Sequence, residues 1–139
     1  MEAATEVFAA VFLGVMGLSH ILQPRAWVDF FIWLRSKGHV GVFANGFLAL
    51  GFGSFIVAFH NVWEGLPIVL TVLGWGQVVK GLLSFIRPQI GLSGLSRISV
   101  KRAWQFRVGG VLALAVSALL WYIVLSRSQE VPAVEGWTH

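Results

Sequence analysis

The sequence predicts an all-α fold: a four-transmembrane-helix bundle built from two tandem two-helix repeats, with a short interfacial amphipathic helix after the first span. Three observations predict it. Hydrophobic residues make up 57% of the 139-residue chain and charged residues 12%, about half the charge of an average soluble domain. The apolar residues gather in four stretches, each near the roughly 20 residues needed to cross a bilayer core of about 30 Å. A gapless shift of 64 residues, Gly17 onto Gly81, aligns the two halves.

The same figures exclude an ordinary soluble globule and a disordered chain. They also exclude a nucleic-acid module, despite a net charge of +4 and an isoelectric point near 10.4. A nucleic-acid footprint needs Lys and Arg clustered on a solvated face, and here they punctuate apolar stretches. With no Cys, disulfides, iron–sulfur clusters, thiolate zinc and thiol catalysis are excluded.

The elements follow in order within a single integral membrane domain, 1–139. Span one covers about 7–22 and is short unless it starts near Ala3. Glu2 and Glu6 stand where a signal peptide would have a basic region, so none is expected. Pro24 suits the first position of a helix. Trp27, Phe30, Phe31 and Leu34 then fall on one face, opposite Arg25, Asp29 and Arg35, which predicts the interfacial helix over about 24–36. Span two covers about 39–59. The turn from His60 to Pro67 has Asn and Gly for turn geometry and Pro67 to open span three, about 66–86. The loop 89–100 is Gly/Ser-rich and is expected to be flexible. Span four covers about 103–125.

Charge in the short loops sets the orientation. Arg25, Arg35 and Lys37 follow span one, and Arg87, Arg97, Lys101 and Arg102 follow span three. The turn at 60–65 has no Lys or Arg, the C-terminal tail has only Arg127, and Glu2, Glu6, Glu64, Glu130 and Glu135 lie on that side. Both basic loops are therefore expected in the cytoplasm, with both termini outside, in a bacterial inner (plasma) membrane. Trp27, Trp33 and Trp104 fall at the cytoplasmic interface and Trp63 and Trp121 at the outer one, an aromatic belt. Trp75 is the exception, near the middle of span three.

The repeat halves are about 7–60 and 66–125. Gly17-Leu18-Ser19-His20 falls on Gly81-Leu82-Leu83-Ser84, Pro24 on Pro88 and Lys37 on Lys101. Asn45-Gly46-Phe47-Leu48-Ala49 falls on Gly109-Gly110-Val111-Leu112-Ala113. Both halves begin on the same side, as in repeats related by an axis along the membrane normal. Asn45, Ala49 and Gly53, with Gly109, Ala113 and Ser117, form stripes of small residues that let helices approach closely in lipid. Spans two and four are expected to pack through these stripes.

Lys80 is the sharpest candidate for chemistry. It lies about 10 Å inside Arg87 along the helix axis, where a charge costs at least about 2.5 kcal/mol. It either snorkels to the headgroups, or pairs with Asp29, or faces an anionic ligand, a lipid headgroup or a quinone carbonyl. Gln77 and Ser84 share its face, and Thr71 and Trp75 lie roughly opposite. His20, His39, Arg107 and Asn45 lie toward the same leaflet and extend the candidate basic pocket. His20 and His39 are the only pair level enough for a bis-imidazole haem, but His39 begins its helix, which disfavours one. The outer turn offers a second candidate in His60, Asn61, Trp63 and Glu64, against the plainer reading of a capped turn. Glu6 sits too near the end of span one to serve as a membrane carboxylate. No metal site and no catalytic constellation is found, so no enzyme is expected.

The run His60-Asn61-Val62-Trp63, then Thr71, Gly74-Trp75, Lys80-Gly81 and Pro88, resembles a pattern in small bacterial four-span membrane proteins of uncharacterised function. Gly17-Leu18-Ser19-His20, Pro24 and Trp27 are similar to it as well. More loosely, the architecture resembles the DoxX-like group, four-span proteins named for a quinol-oxidase subunit. These resemblances imply the fold and mark His60, Trp63, Trp75 and Lys80 as positions to test. They imply no activity.

The expected function is a non-catalytic accessory or assembly subunit of a larger membrane complex. Membrane lipids and other membrane subunits, or a second copy, are the expected partners. The alternative is a small-molecule, quinone or lipid binder or carrier using the pocket around Lys80. A weaker alternative is a haem- or quinone-holding oxidoreductase subunit. No resident cofactor is expected, with quinone or lipid the compatible ligands.

Overall fold

A computed structural model describes residues 1–129 and is helical throughout its regular structure. The order is α1 (Glu2–Leu22), α2 (Pro24–Ser36), α3 (His39–Phe59), α4 (Ile68–Ile86), α5 (Pro88–Ser96), a 3-10 turn (Val100–Arg102) and α6 (Trp104–Gln129). Four of these, α1, α3, α4 and α6, are long and apolar enough to cross a membrane. They make the multi-pass four-helix bundle expected. Glu130 and Glu135 lie outside the described residues.

Each half breaks in the same way. Pro24 and Pro88 stand in the first turns of α2 and α5. The residues before them, Gln23 (φ −127°, ψ 50°) and Arg87 (φ −133°, ψ 74°), leave the helical region. A proline ring forces this on its predecessor. Gly38, at φ 59°, then turns α2 into α3, a backbone angle that a side chain would disfavour.

Two expectations are corrected here. The first concerns the loop 89–100, which is not an unstructured link: α5 occupies Pro88–Ser96. Pro88 presets its first turn. Leu95 is then buried with Leu34 and Val42, against Phe31, Leu92 and Ile98. Arg35 donates to the Ser96 and Ile98 carbonyls, both at 3.4 Å, which closes the end of α5 onto α2. Tertiary burial outweighs the low helix propensity of Gly and Ser.

The second concerns which spans pair. The spans pair as α1 with α6 and α3 with α4, so the stripes on spans two and four do not meet each other. The α3 stripe faces α4 and the α6 stripe faces α1. A Cβ on Gly53 would stand 2.7 Å from the Gly74 carbonyl oxygen, and one on Gly46 would stand 2.5 Å from Ser84 Cβ. On α6, Ser117 donates to the Ala10 carbonyl at 2.7 Å, while Gly110 lies against Gly17. Gly53 and Ser117 belong to the stripes, but at the first stripe position the residue in contact is the next one along, Gly46 on α3 and Gly110 on α6. Asn45 is half-buried, and a Cβ on Gly109 would meet nothing. The 64-residue shift carries one interface onto the other: Gly53 and Gly74 onto Ser117 and Ala10, Gly46 and Gly81 onto Gly110 and Gly17. The first span of each half therefore packs on the second span of the other.

A shared core joins the two pairs at the end away from the basic loops: Ala9, Ala10, Ile56, Leu70, Leu120 and Ile123. This core places the buried polar groups described next.

Candidate functional site

Glu6, His60 and Thr71 are all fully buried beside this core. Helix α1 runs from Glu2, which carries Glu6 inside the bundle. Residue His60 ends α3, with its N–H on the Ile56 carbonyl at 2.7 Å. Its Nε2 donates to Glu6 Oε1 at 3.0 Å, and its Nδ1 lies 3.3 Å from Thr71 Oγ1 on α4. Arg127, in the last turn of α6, closes on the same carboxylate at 3.1 and 2.9 Å. Glu6 is thus a membrane-end carboxylate held by two cationic or proton-bearing partners. Glu6 does lie near the start of α1, but it is buried and paired, and Arg127 stands in the spanning helix α6 instead of a tail. Thr71 Oγ1 donates to the Val62 carbonyl at 2.7 Å and accepts the Val62 N–H at 3.0 Å, which pins the turn.

Of the outer-turn candidates, only His60 enters this cluster. Asn61 Oδ1 accepts from Trp63 Nε1 at 3.0 Å and Trp75 Nε1 at 3.3 Å. This bond explains Trp75: its ring edge reaches up to the turn. Glu64 is exposed. The overlooked residues, Glu6, Thr71 and Arg127, had one signal. Continued back along the chain, the 64-residue alignment sets Glu6 on Leu70, a core position.

The basic pocket divides. Lys80, Asn45 and Ser84 line one groove of about 520 Å³, with Phe31, Ile98 and Phe106 among its walls. The Ser84 hydroxyl spends its proton on the Lys80 carbonyl at 2.9 Å. Among the described residues both ion pairs belong to Glu6, so Lys80 has no acid partner, Asp29 included. Gln77 leaves the groove, because its Cβ packs against Gly53 in the α3–α4 seam. Arg107 lines a separate cleft of about 440 Å³ with Arg25, Gln23 and Trp104. His20 donates from Nδ1 to the Met16 carbonyl at 2.7 Å. Its ring stacks on Trp27 at 4.1 Å and on Phe106 at 5.8 Å, and Trp27 donates to Ser19 at 3.0 Å. His39 is exposed at the start of α3, apart from these contacts. Among the described residues no three His, Cys, Asp or Glu side chains converge.

No protein-family model, curated protein or solved structure matches the chain.

Proposed function

We propose that the protein binds an amphiphile of the membrane, a lipid or a quinone, with an anionic or carbonyl head group at Lys80. The carrying observation is a lysine without an acid partner in a groove that also holds Asn45. Lys80 is exposed on the groove. An electron-rich partner stabilises an ammonium that stays this far along a span instead of snorkelling, and the carboxamide of Asn45 adds donors beside it. The groove volume, about 520 Å³, falls within the range of small-molecule sites. Its apolar walls suit a chain or ring, and its polar floor suits a head. With the basic loops in the cytoplasm, this is the cytoplasmic leaflet of a bacterial inner membrane.

The exposed apolar helix surfaces behind the accessory-subunit expectation do not select for it, since lipid satisfies the same surfaces. The test compares the lipids and quinones that purify with the wild type, Lys80→Met and Gly76→Leu. Gly76 lines the groove and a Cβ there meets nothing within 4 Å, so a leucine side chain enters it from open space. We expect one enriched amphiphile in the wild type, reduced about tenfold or more in both variants, as loss of a charge-assisted bond implies. Equal content in all three, or no enrichment in the wild type, overturns the reading.

A further inference from the structure

His60 touches both helix pairs, and its hydrogen bonds can be counted. The Glu6 carboxylate, already gripped by Arg127, accepts only, so the proton between Glu6 and His60 sits on Nε2. Thr71 has one hydroxyl proton. It points to the Val62 carbonyl at 2.7 Å, shorter than the 3.3 Å to His60 Nδ1. The same oxygen also accepts the Val62 N–H. It therefore offers Nδ1 a lone pair. A neutral imidazole has one N–H, and this site holds acceptors for two.

We propose that His60 is a proton-binding site: it sits in the closed bundle as an imidazolium, and its proton fastens the α1–α6 pair to the α3–α4 pair. The groups facing it are Glu6 from α1 and Thr71 from α4, and Arg127 from α6 reaches it through Glu6. Among the described residues the other ionisable groups at this end, Met1, Glu2, Glu64 and Tyr122, are exposed. Among the described residues the His60–Glu6 bond is the sole side-chain hydrogen bond joining the spanning helices of one pair to the other. When the proton leaves Nδ1, two lone pairs face each other. Either the contact opens, or the Thr71 proton swings to His60 and releases the turn at Val62. The bound proton thus stabilises the closed bundle, and that contribution is lost as pH rises.

The experiment uses the full chain in nanodiscs with 15N-labelled histidine, in a variant whose other three histidines (His20, His39 and His139) are glutamine. His60 is then the sole labelled ring, and the site itself is untouched. We expect both ring nitrogens protonated at about pH 6, and an apparent melting midpoint about 3 °C or more lower at pH 8, across the range in which histidines titrate. Glu6→Gln, which keeps the shape but removes the charge, should abolish that drop. A ring with one bare nitrogen at every pH where the bundle is folded overturns the proposal. So does a pH-dependent drop that survives unchanged in Glu6→Gln.

Discussion

Gly17 and Gly110 touch backbone to backbone: a Cβ on Gly110 would stand 2.6 Å from the Gly17 carbonyl oxygen. In lipid the hydrophobic effect does not drive helices together, so close approach carries the pairing of α1 with α6. Gly109, one residue earlier, has open space around its Cα hydrogens. Both positions gain the same helix propensity on mutation to Ala, so their difference isolates packing. We expect Gly110→Ala to lose about 1–3 kcal/mol relative to Gly109→Ala, read as unfolding by denaturant in mixed micelles.

The 64-residue relation predicts an asymmetry as well. Ser117 and Gly53 are equivalent positions, but only Ser117 has room for its side chain, which donates to the Ala10 carbonyl at 2.7 Å. Around Gly53 the Gly74 oxygen and the Val78 nitrogen both stand 2.7 Å from a would-be Cβ. Ser117→Gly should therefore cost about 0.6 kcal/mol, the average worth of such a bond in a membrane. Gly53→Ser should separate α3 from α4. Cysteine cross-linking across that seam would report the difference, and equal effects would contradict the packing described.

The spans and the Pro-led short helix at 24–36 were legible because they depend on composition and on one residue's geometry. The short helix at 88–96 was not, because its helicity comes from Leu95 meeting Leu34 and Val42, contacts distant in the chain. The stripes were legible as stripes, but their partners were not: small residues show that a helix is approached closely, not by which neighbour. Lys80 stood out as a charge in an apolar run. Glu6 did not, because α1 extends nearer the N-terminus than hydropathy marked, and its partners His60 and Arg127 come from the far ends of other helices.

Orientation makes a prediction independent of the site. Seven of the ten basic residues lie in the two loops at one end, and loop charge decides topology. A C-terminal tag should be digested by external protease in spheroplasts, while a tag inserted near Gly94 should be protected. Protection of the C-terminal tag would reverse the assignment and move the Lys80 groove to the other leaflet.

The buried pair is the sharpest case. The second half of the chain places Leu70 and Val124 where the first has Glu6 and His60, and Leu70 is equally buried. Apolar side chains therefore suit these positions sterically. Replacing one member alone strands the other: Glu6→Leu leaves His60 without its acceptor inside the bundle, an effect of about 3 kcal/mol. Replacing both, Glu6→Leu with His60→Val, removes the stranded group. Arg127 is 43% exposed, and its long side chain can carry the charge outward. We expect the double variant to be as stable as the wild type, or more stable by about 1–4 kcal/mol, and to lose the pH dependence of its melting midpoint. Such a result would show that the charged pair is kept for its response to protons, since the fold stands without it. A double variant no more stable than Glu6→Leu would instead make the pair a structural necessity of the bundle.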